Sequence, residues 1–314
     1  NNNNTGRSIS DLKIAITEWN IDNGNNLDET NDYKGIIEGF DERSFIAGQW
    51  VADILNQAMQ IASGNEAWIE FMNLWSIKEG DCDNGLGYIS SCGTEKKRPS
   101  YYHFKFVAEN FKGIYLPATI SAPSNIKVFG CKDVTNSKIQ VLILNQKSGT
   151  GKTSFQFGLN GSNNIPTAGT VNVTLPAGVI VKPIYPASTV TMDIDDQSTV
   201  LLTFDLDGNI LNKVTYKIQD AIDNKAPCDM PAPTLSPNLT QPITVNPGGI
   251  KFNLNTPNGK TYTYKWPNPQ PSGFSNAPDG FTIKAASDGP HTYFCEVTEE
   301  GCGMLIYTIK VNTD

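Results

Sequence analysis

Three consecutive residues near the start of the chain, Glu18, Trp19 and Asn20, combine a carboxylate, an indole ring and an amide. They directly follow the apolar run at residues 12–17, where a short strand would end and a polar loop would begin. A rigidly held carboxylate can act as a nucleophile, a Trp ring offers an apolar face to a sugar ring, and an Asn amide can donate to hydroxyl groups. This combination predicts chemistry on a carbohydrate, with Glu18 as the nucleophile.

A second group of candidate residues, Asn73 and Trp75, stands at the end of a later apolar run at residues 67–74. Trp75 is predicted to stack on the sugar at the cleavage point, with Asn73 beside it as a substrate-binding residue. Packing is the alternative for Trp19 and Trp75, because Trp also packs well beneath loops. Asn73 can instead satisfy backbone groups.

The elements that must position these residues alternate between strand and helix. The predicted elements are strand 12–17, helix 44–62, strand 67–74 and helix 99–111. The first helix is indicated by apolar residues at three- and four-residue spacing, and the second by Pro99 near its first turn. This βαβα order implies parallel pairing of the two strands. Catalytic groups sit at the carboxyl ends of such strands in barrel enzymes, which is where Glu18 and Trp75 stand.

From residue 113 onward the sequence pattern changes. Short apolar segments separated by turn residues predict an antiparallel β-sandwich, a Pro-rich stretch at 223–237 predicts a linker, and the remainder predicts a small immunoglobulin-like sandwich. The fold class is therefore multidomain, α/β followed by all-β. The predicted domains are residues 1–113, 114–224 and 225–314.

The charge balance restricts the class of partner. The formal net charge is −8 and no basic cluster is present, which argues against a nucleic-acid partner and against docking on anionic membranes. A neutral polysaccharide suits this chain better. No apolar run approaches the roughly 18 residues of a membrane span. With two His residues and no Cys-x-x-Cys pair, we expect neither a metal centre nor another cofactor.

Six Cys residues in a chain rich in Thr and Asn favour disulfides and an exported protein. The predicted pairs are Cys82 with Cys92, which would staple one loop, and Cys228 with Cys302, which bracket the last domain. Cys131 and Cys295 have no obvious partner, which leaves a buried free thiol as an interpretation of either residue.

The segment Ile16-Thr17-Glu18-Trp19-Asn20 resembles the nucleophile segment on the seventh strand of clan A (β/α)8 glycoside hydrolases, especially families 39, 44 and 51. The following helix, the strand ending at Trp75, and residues 98–102 (Arg-Pro-Ser-Tyr-Tyr) resemble the final barrel units of these enzymes, in which a β-sandwich also follows the barrel. The resemblance covers residues 11 to about 220. It implies the last βα units of a (β/α)8 barrel and retaining hydrolysis, with Glu18 attacking the anomeric carbon.

The chain departs from that pattern in one important respect. The families carry an acid/base Glu on the fourth strand, usually as Asn-Glu, whereas the one Asn-Glu here, Asn65-Glu66, precedes the second predicted strand and stands at the wrong end for catalysis. Two of eight units cannot close a barrel. We therefore expect the missing strands and the acid/base to come from upstream sequence of the same precursor or from another chain. The 314 residues alone are expected to be inactive.

The last predicted domain resembles the immunoglobulin-like or PKD-like modules attached to secreted enzymes and adhesins of Bacteroidetes-type bacteria. The matching segments are residues 264–266, 289–293 and 300–302. The resemblance implies a secreted or cell-surface location. Two hypotheses remain. One is a secreted retaining glycosidase acting on plant or algal polysaccharide. The other is a non-catalytic surface protein for adhesion or carbohydrate binding.

Overall fold

The computed structural model describes residues 13–20, 44–63, 69–78, 87–90, 95–120, 125–133, 135–160, 170–174, 190–206, 209–236, 249–266, 270–271, 273–277, 280–283 and 289–313. These residues form mostly β-strands, with helices α1 (Phe45–Ala62), α2 (Pro99–Asn110) and the short α3 (Ile218–Ile222). The predicted mixture of an α/β part with a larger all-β part is confirmed at this level.

The first two strands are β1 (Ile14–Trp19) and β2 (Ile69–Leu74), which lie on either side of α1 in the chain. They form a two-stranded parallel sheet in which Ile16 pairs with Met72 and Trp19 pairs with Leu74. The parallel pairing predicted from the βαβα order is therefore confirmed.

Helices α1 and α2 approach each other closely at Gly48. A Cβ atom at this position would lie 2.5 Å from Nδ1 of His103 and 2.8 Å from the carbonyl carbon of Pro99. The start of α1 is capped by Ser44, whose hydroxyl accepts a hydrogen bond from the Ala47 amide. Pro99 occupies the first turn of α2, where its missing N–H has no helical partner to lose.

The next strands are β3 (Ile114–Leu116), β4 (Ala118–Ile120), β5 (Ile126–Asp133), β6 (Lys138–Asn145), β7 (Lys152–Asn160), β8 (Thr170–Thr174), β9 (Val190–Asp195), β10 (Ser198–Asp205), β11 (Ile210–Lys217) and β12 (Cys228–Pro231). Six of them form an antiparallel sheet in the order β12-β11-β10-β6-β5-β3, and four form a sheet in the order β4-β8-β7-β9. Strands β7 and β8 pair in parallel, so the prediction of an entirely antiparallel sandwich is wrong at this pair.

The six-stranded sheet is covered on both faces. On one face, Leu142, Leu201 and Tyr216 share a core with Phe45 of α1 and Phe106 of α2. On the opposite face, the buried side chains come from the strands and are joined by residues of the second sheet and of the last hairpin. These side chains are Leu116, Ile126, Val128, Ile139, Val141, Ile143, Ile194, Val200, Leu202, Phe204, Ile210, Phe294 and Ile306. Helices α1 and α2 thus share a core with this sheet, and the division into three domains stays a prediction.

The last strands are β13 (Thr234–Ser236), β14 (Ile250–Asn255), β15 (Thr263–Lys265), β16 (Phe274–Ala277), β17 (Gly280–Ile283), β18 (Gly289–Glu299) and β19 (Gly303–Thr313). They form two sheets, β13-β14-β17-β16 and β15-β18-β19, around one core that includes Phe252, Phe281 and Tyr293. The predicted linker at 223–237 is wrong at residues 228–231 and 234–236, because β12 pairs with β11 and β13 pairs with β14.

The predicted disulfide between Cys228 and Cys302 is confirmed, with a Cα–Cα distance of 5.3 Å. Cys131 and Cys295 are buried free thiols, and burial raises the pKa of each, to about 11 and about 12 respectively. Cys82 and Cys92 lie outside the described residues. Among the residues described, no helix combines the length and apolar character needed to cross a bilayer.

Candidate active site

The predicted site residues lie at one edge of the parallel strand pair. Glu18 and Trp19 are the last two residues of β1, and Asn20 follows directly. Asn73 lies near the end of β2, and Trp75 is the residue after that strand. Because the strands are parallel and Trp19 pairs with Leu74, the two carboxyl ends stand side by side. The structure therefore brings together the residues that the sequence assigned to one site.

Two hydrogen bonds join these strand ends. The backbone N–H of Trp75 donates to the carbonyl oxygen of Trp19 over 3.0 Å. The side-chain amide of Asn20 donates to the carbonyl oxygen of Trp75. Asn20 thereby holds the segment after β2 against β1, a positioning role that its type alone did not reveal. Its predicted contact with substrate stays a prediction.

The two Trp side chains differ in their surroundings. Trp19 is half-buried, and its ring lies 5.9 Å, centroid to centroid, from the ring of Trp50 on α1. Its indole Nε1 is buried and has no hydrogen-bond partner within the described part of the chain. Trp75 is 43% exposed, so its ring is accessible from solvent. Of the two, Trp75 has the surroundings expected of a stacking platform, whereas Trp19 joins the strand to the helix.

The segment after β2 is held by backbone bonds and by Arg98. Residues 76 and 77 accept backbone hydrogen bonds from residues 88 and 89, at 3.1 and 3.0 Å. The buried Arg98 donates from its guanidinium to the carbonyl oxygen of Gly87. The Tyr88 ring stacks on Phe104 of α2 at a centroid distance of 5.6 Å. The sequence does not predict that Arg98 holds the segment at Gly87; there it is only one of the residues that carry the resemblance.

The carboxylates of the strand pair are well separated. Glu18 and Asn73 are both exposed at the carboxyl edge. Glu70 lies at the opposite end of β2, three residues before Asn73. At about 3.3 Å per residue, that places Glu70 roughly 10 Å from the level of Asn73 along the strand. Glu70 is also an odd number of residues from Asn73, so its side chain points to the other face of the strand pair. It is therefore not placed as the second carboxyl group that a retaining glycosidase needs about 5–5.5 Å from the first.

Large apolar side chains of the strand pair are exposed. Phe71 on β2 is 47% exposed, and Ile14 on β1 and Ile77 after β2 are exposed as well. Parallel sheets are normally covered on both faces, and their strands are apolar for that reason. The strand pair therefore carries an apolar surface that the described residues do not cover.

A buried polar network joins the helices to the six-stranded sheet. Nδ1 of His103 donates to the carbonyl oxygen of Pro99 over 2.8 Å, which leaves Nε2 to accept from the hydroxyl of Thr199, also at 2.8 Å. The Gln49 amide donates to the same hydroxyl oxygen at 3.2 Å. Burial lowers the pKa of His103 to about 4, so its imidazole is neutral at pH 7. This histidine is a structural group.

The sulfur atoms of Cys228 and Cys302 and a carboxylate oxygen of Glu299 lie within 4.8 Å of one another, as ligands of a metal ion would. The two sulfur atoms are joined in a disulfide, and Glu299 pairs with Lys260 over 3.2 Å. This group offers no thiolate, and its arrangement is explained by the disulfide and the ion pair.

No protein-family model and no curated protein matches the sequence. Among solved structures, the chain is similar to Xyn30A, a glycoside hydrolase family 30 subfamily 8 xylanase from Clostridium acetobutylicum, with 16% sequence identity and a TM-score of 0.35. The match covers 61% of this chain and 42% of the xylanase, so this chain spans less than half of that protein. A likeness at this level carries no argument about fold or function.

Proposed function

We propose that this chain contributes the nucleophile half of a retaining glycoside hydrolase active site, with Glu18 as the nucleophile. The observation that carries the proposal is the placement of Glu18, Asn73 and Trp75 at one carboxyl edge of two parallel strands. Side chains at such an edge are held by the strands and point toward the loops, which is where barrel enzymes carry out their chemistry.

In the proposed reaction, the Glu18 carboxylate attacks the anomeric carbon and the glycosidic oxygen leaves with a proton from the acid/base. Water, deprotonated by that same residue, then hydrolyses the glycosyl-enzyme ester and releases Glu18. The ring of Trp75 stacks on the sugar at the cleavage point. The subsite is shaped by Asn73, by Trp19 at the end of β1, and by Asn20 directly after it.

The acid/base residue is proposed to lie on barrel strands outside the described residues, supplied by the same precursor or by another chain. The uncovered apolar surface of the strand pair supports this assignment. Phe71 and Ile14 are about half exposed, so burying the rest of each side chain against further strands would stabilise the assembly by about 1 kcal/mol each. A polysaccharide of plant or algal origin is the proposed substrate. The disulfide between Cys228 and Cys302 is compatible with the proposed secreted or surface location.

The direct test is Glu18→Gln in the protein in its natural full-length form, assayed on xylan, arabinan and β-glucan. The substitution keeps the shape of the side chain and removes the nucleophile, so turnover is expected to fall at least about a thousandfold. The matched control is Glu109→Gln on α2, where an exposed carboxylate lies 3.8 Å from Lys105. That variant should keep full activity.

A fluorinated glycoside inactivator tests the role of Glu18 more directly. The expected result is a covalent adduct on the peptide that contains Glu18, found by mass spectrometry, and products with retained anomeric configuration by NMR. An adduct on another residue, or full activity of Glu18→Gln, would refute the assignment.

The exposed ring of Trp75 also favours a second candidate, a non-catalytic carbohydrate-binding surface protein. Trp75→Ala weakens polysaccharide binding under both proposals. Only the glycosidase releases reducing sugars from the bound polysaccharide, so binding without any release in the full-length protein would favour this second candidate.

A further inference from the structure

A cavity of about 230 Å³ lies where three sheets meet, far along the chain from Glu18. Its walls come from β10 and β11 of the six-stranded sheet, from β7 and β9 of the second sheet, and from the start of β19. The polar lining consists of Lys152, Asp195, Lys213, Thr215 and Lys217. Nothing in the proposed glycosidase chemistry uses these residues.

The polar lining has an excess of positive charge. Lys217 pairs with Asp195 at 2.7 Å, and Lys152 lies opposite Asp195 in the ladder between β7 and β9. The lining therefore holds three Lys residues and one carboxylate. Lys213 is only 5% exposed, and its ammonium donates to the carbonyl oxygen of Met304 over 2.7 Å. That carbonyl is neutral, so the cavity keeps more positive than negative charge.

The surroundings of Lys213 oppose its charge. Its pKa is lowered to about 8, first by burial and then by the neighbouring charges of Lys217 and Lys152, against the opposing effect of Asp195. An anion placed beside Lys213 would offset both the burial and the repulsion.

Thr215 supplies an independent indication of a ligand. It is 4% exposed, and its buried hydroxyl has no hydrogen-bond partner among the residues that the structure describes. Thr215 alternates with Lys213 and Lys217 along β11, so the three side chains point to the same face and line the same cavity. Buried hydroxyl groups in folded proteins are normally paired, and a ligand oxygen would pair this one.

The remainder of the lining is apolar. Val200, Leu202 and Ile210 of the six-stranded sheet share a core with Ile306 of β19, and all four are buried. A compact hydrocarbon body would add contacts to this apolar wall, whereas a hydrated inorganic ion would not.

We propose that this cavity binds a small organic carboxylate. Its carboxylate group accepts hydrogen bonds from the Lys213 ammonium and the Thr215 hydroxyl, and its apolar body packs against Leu202 and Ile306. This assignment is independent of the proposed glycosidase function, because it uses none of the residues at the β1 and β2 strand ends.

The test compares benzoate with benzamide, its neutral analogue of the same shape, by calorimetric titration of the 314-residue chain at pH 7. We expect benzoate to bind at least about tenfold more tightly than benzamide, because a hydrogen bond to a charged group is the stronger one. Lys213→Met keeps the length of the side chain and should weaken benzoate binding about tenfold or more. Thr215→Val should weaken it about threefold to tenfold.

The matched control is Lys265→Met, which removes an exposed ammonium that pairs with Glu296 at 3.0 Å and should leave benzoate binding unchanged. Thr215→Val also separates folding from binding, since it removes an unpaired buried hydroxyl and should leave the melting temperature equal or higher. Equal affinities for benzoate and benzamide would overturn the proposal, as would wild-type affinity in both Lys213→Met and Thr215→Val. Inorganic phosphate binding as tightly as benzoate would overturn the apolar part of the ligand.

Discussion

The strand pair β1–β2 leaves large apolar side chains such as Phe71 exposed, whereas the six-stranded sheet buries side chains such as Leu142 on both of its faces. Both regions consist of apolar strands, but they differ in what covers them. The sheet is covered by α1 and α2 on one side and by strands of the second sheet and the last hairpin on the other. The strand pair has contact with α1 at Trp19 and Trp50, whereas Ile14 and Phe71 are 48% and 47% exposed. The six-stranded sheet therefore buries its apolar side chains within the described residues, whereas the strand pair leaves part of its apolar surface exposed.

The largest effect is expected from truncating side chains in the two regions. Leu142→Ala removes a fully buried side chain and should lower the free energy of unfolding by about 2–5 kcal/mol. Phe71→Ala, at an exposed position, should lower it by about 1 kcal/mol or less. Urea unfolding of the chain measures both values. Equal losses would contradict the comparison and show that the strand pair is already covered.

The helix-covered face of the sheet should also respond to pH. His103 titrates near 4 when folded and near 6.5 when unfolded, so the unfolded chain binds the extra proton between these values. Its contribution is fully present above pH 6.5 and is lost as the pH falls toward 4, by about 3 kcal/mol in total. The measurement is the free energy of unfolding of the wild type minus that of His103→Gln at several pH values. A difference that does not shrink between pH 6.5 and 4 would show that His103 is not buried against Thr199.

A smaller effect is expected at the contact between the two helices. Gly48→Ala favours the helical conformation by about 1 kcal/mol. Its new methyl group would meet the backbone of Pro99, which cannot move aside, so the net change should be a loss of about 1–3 kcal/mol. Thermal unfolding followed by circular dichroism measures it. A gain in stability would mean that α1 and α2 lie farther apart.

Much of the strand-end site could be predicted from the sequence, because it depends on short apolar runs and on the order of neighbouring elements. The apolar runs and the βαβα order placed Glu18 and Trp75 at the same edge before any contact was known. Two contacts could not be predicted from the sequence. One is the packing of Trp19 against Trp50, and the other is the hydrogen bond from Asn20 to the Trp75 carbonyl. Both depend on side-chain directions, which are set by packing partners distant in sequence. For the same reason a Pro-rich stretch resembled a linker, although Met230 within it is fully buried.

The six-stranded sheet and the cavity likewise depend on contacts between residues distant in sequence, which the sequence pattern does not reveal. The unbroken apolar run at residues 141–144 is typical of a strand buried on both faces, but the run does not say that helices cover one of those faces. Lys213, Thr215 and Lys217 alternate as on a solvated strand face. They line a cavity only because β19 packs over this face. That contact joins Lys213 to Met304, about ninety positions later in the chain.

The position of β12 has a mechanical consequence. This strand is hydrogen-bonded to β11 in the six-stranded sheet, and its Cys228 is covalently joined to Cys302 at the end of the last hairpin turn, 74 residues later. Tension applied to the end of β19 therefore reaches the six-stranded sheet through a covalent link, without first pulling out the residues between the two cysteines. Residues 229–301 lie inside the segment that the disulfide closes and do not extend under this load, whereas β19 lies outside that segment and transmits the load to Cys302.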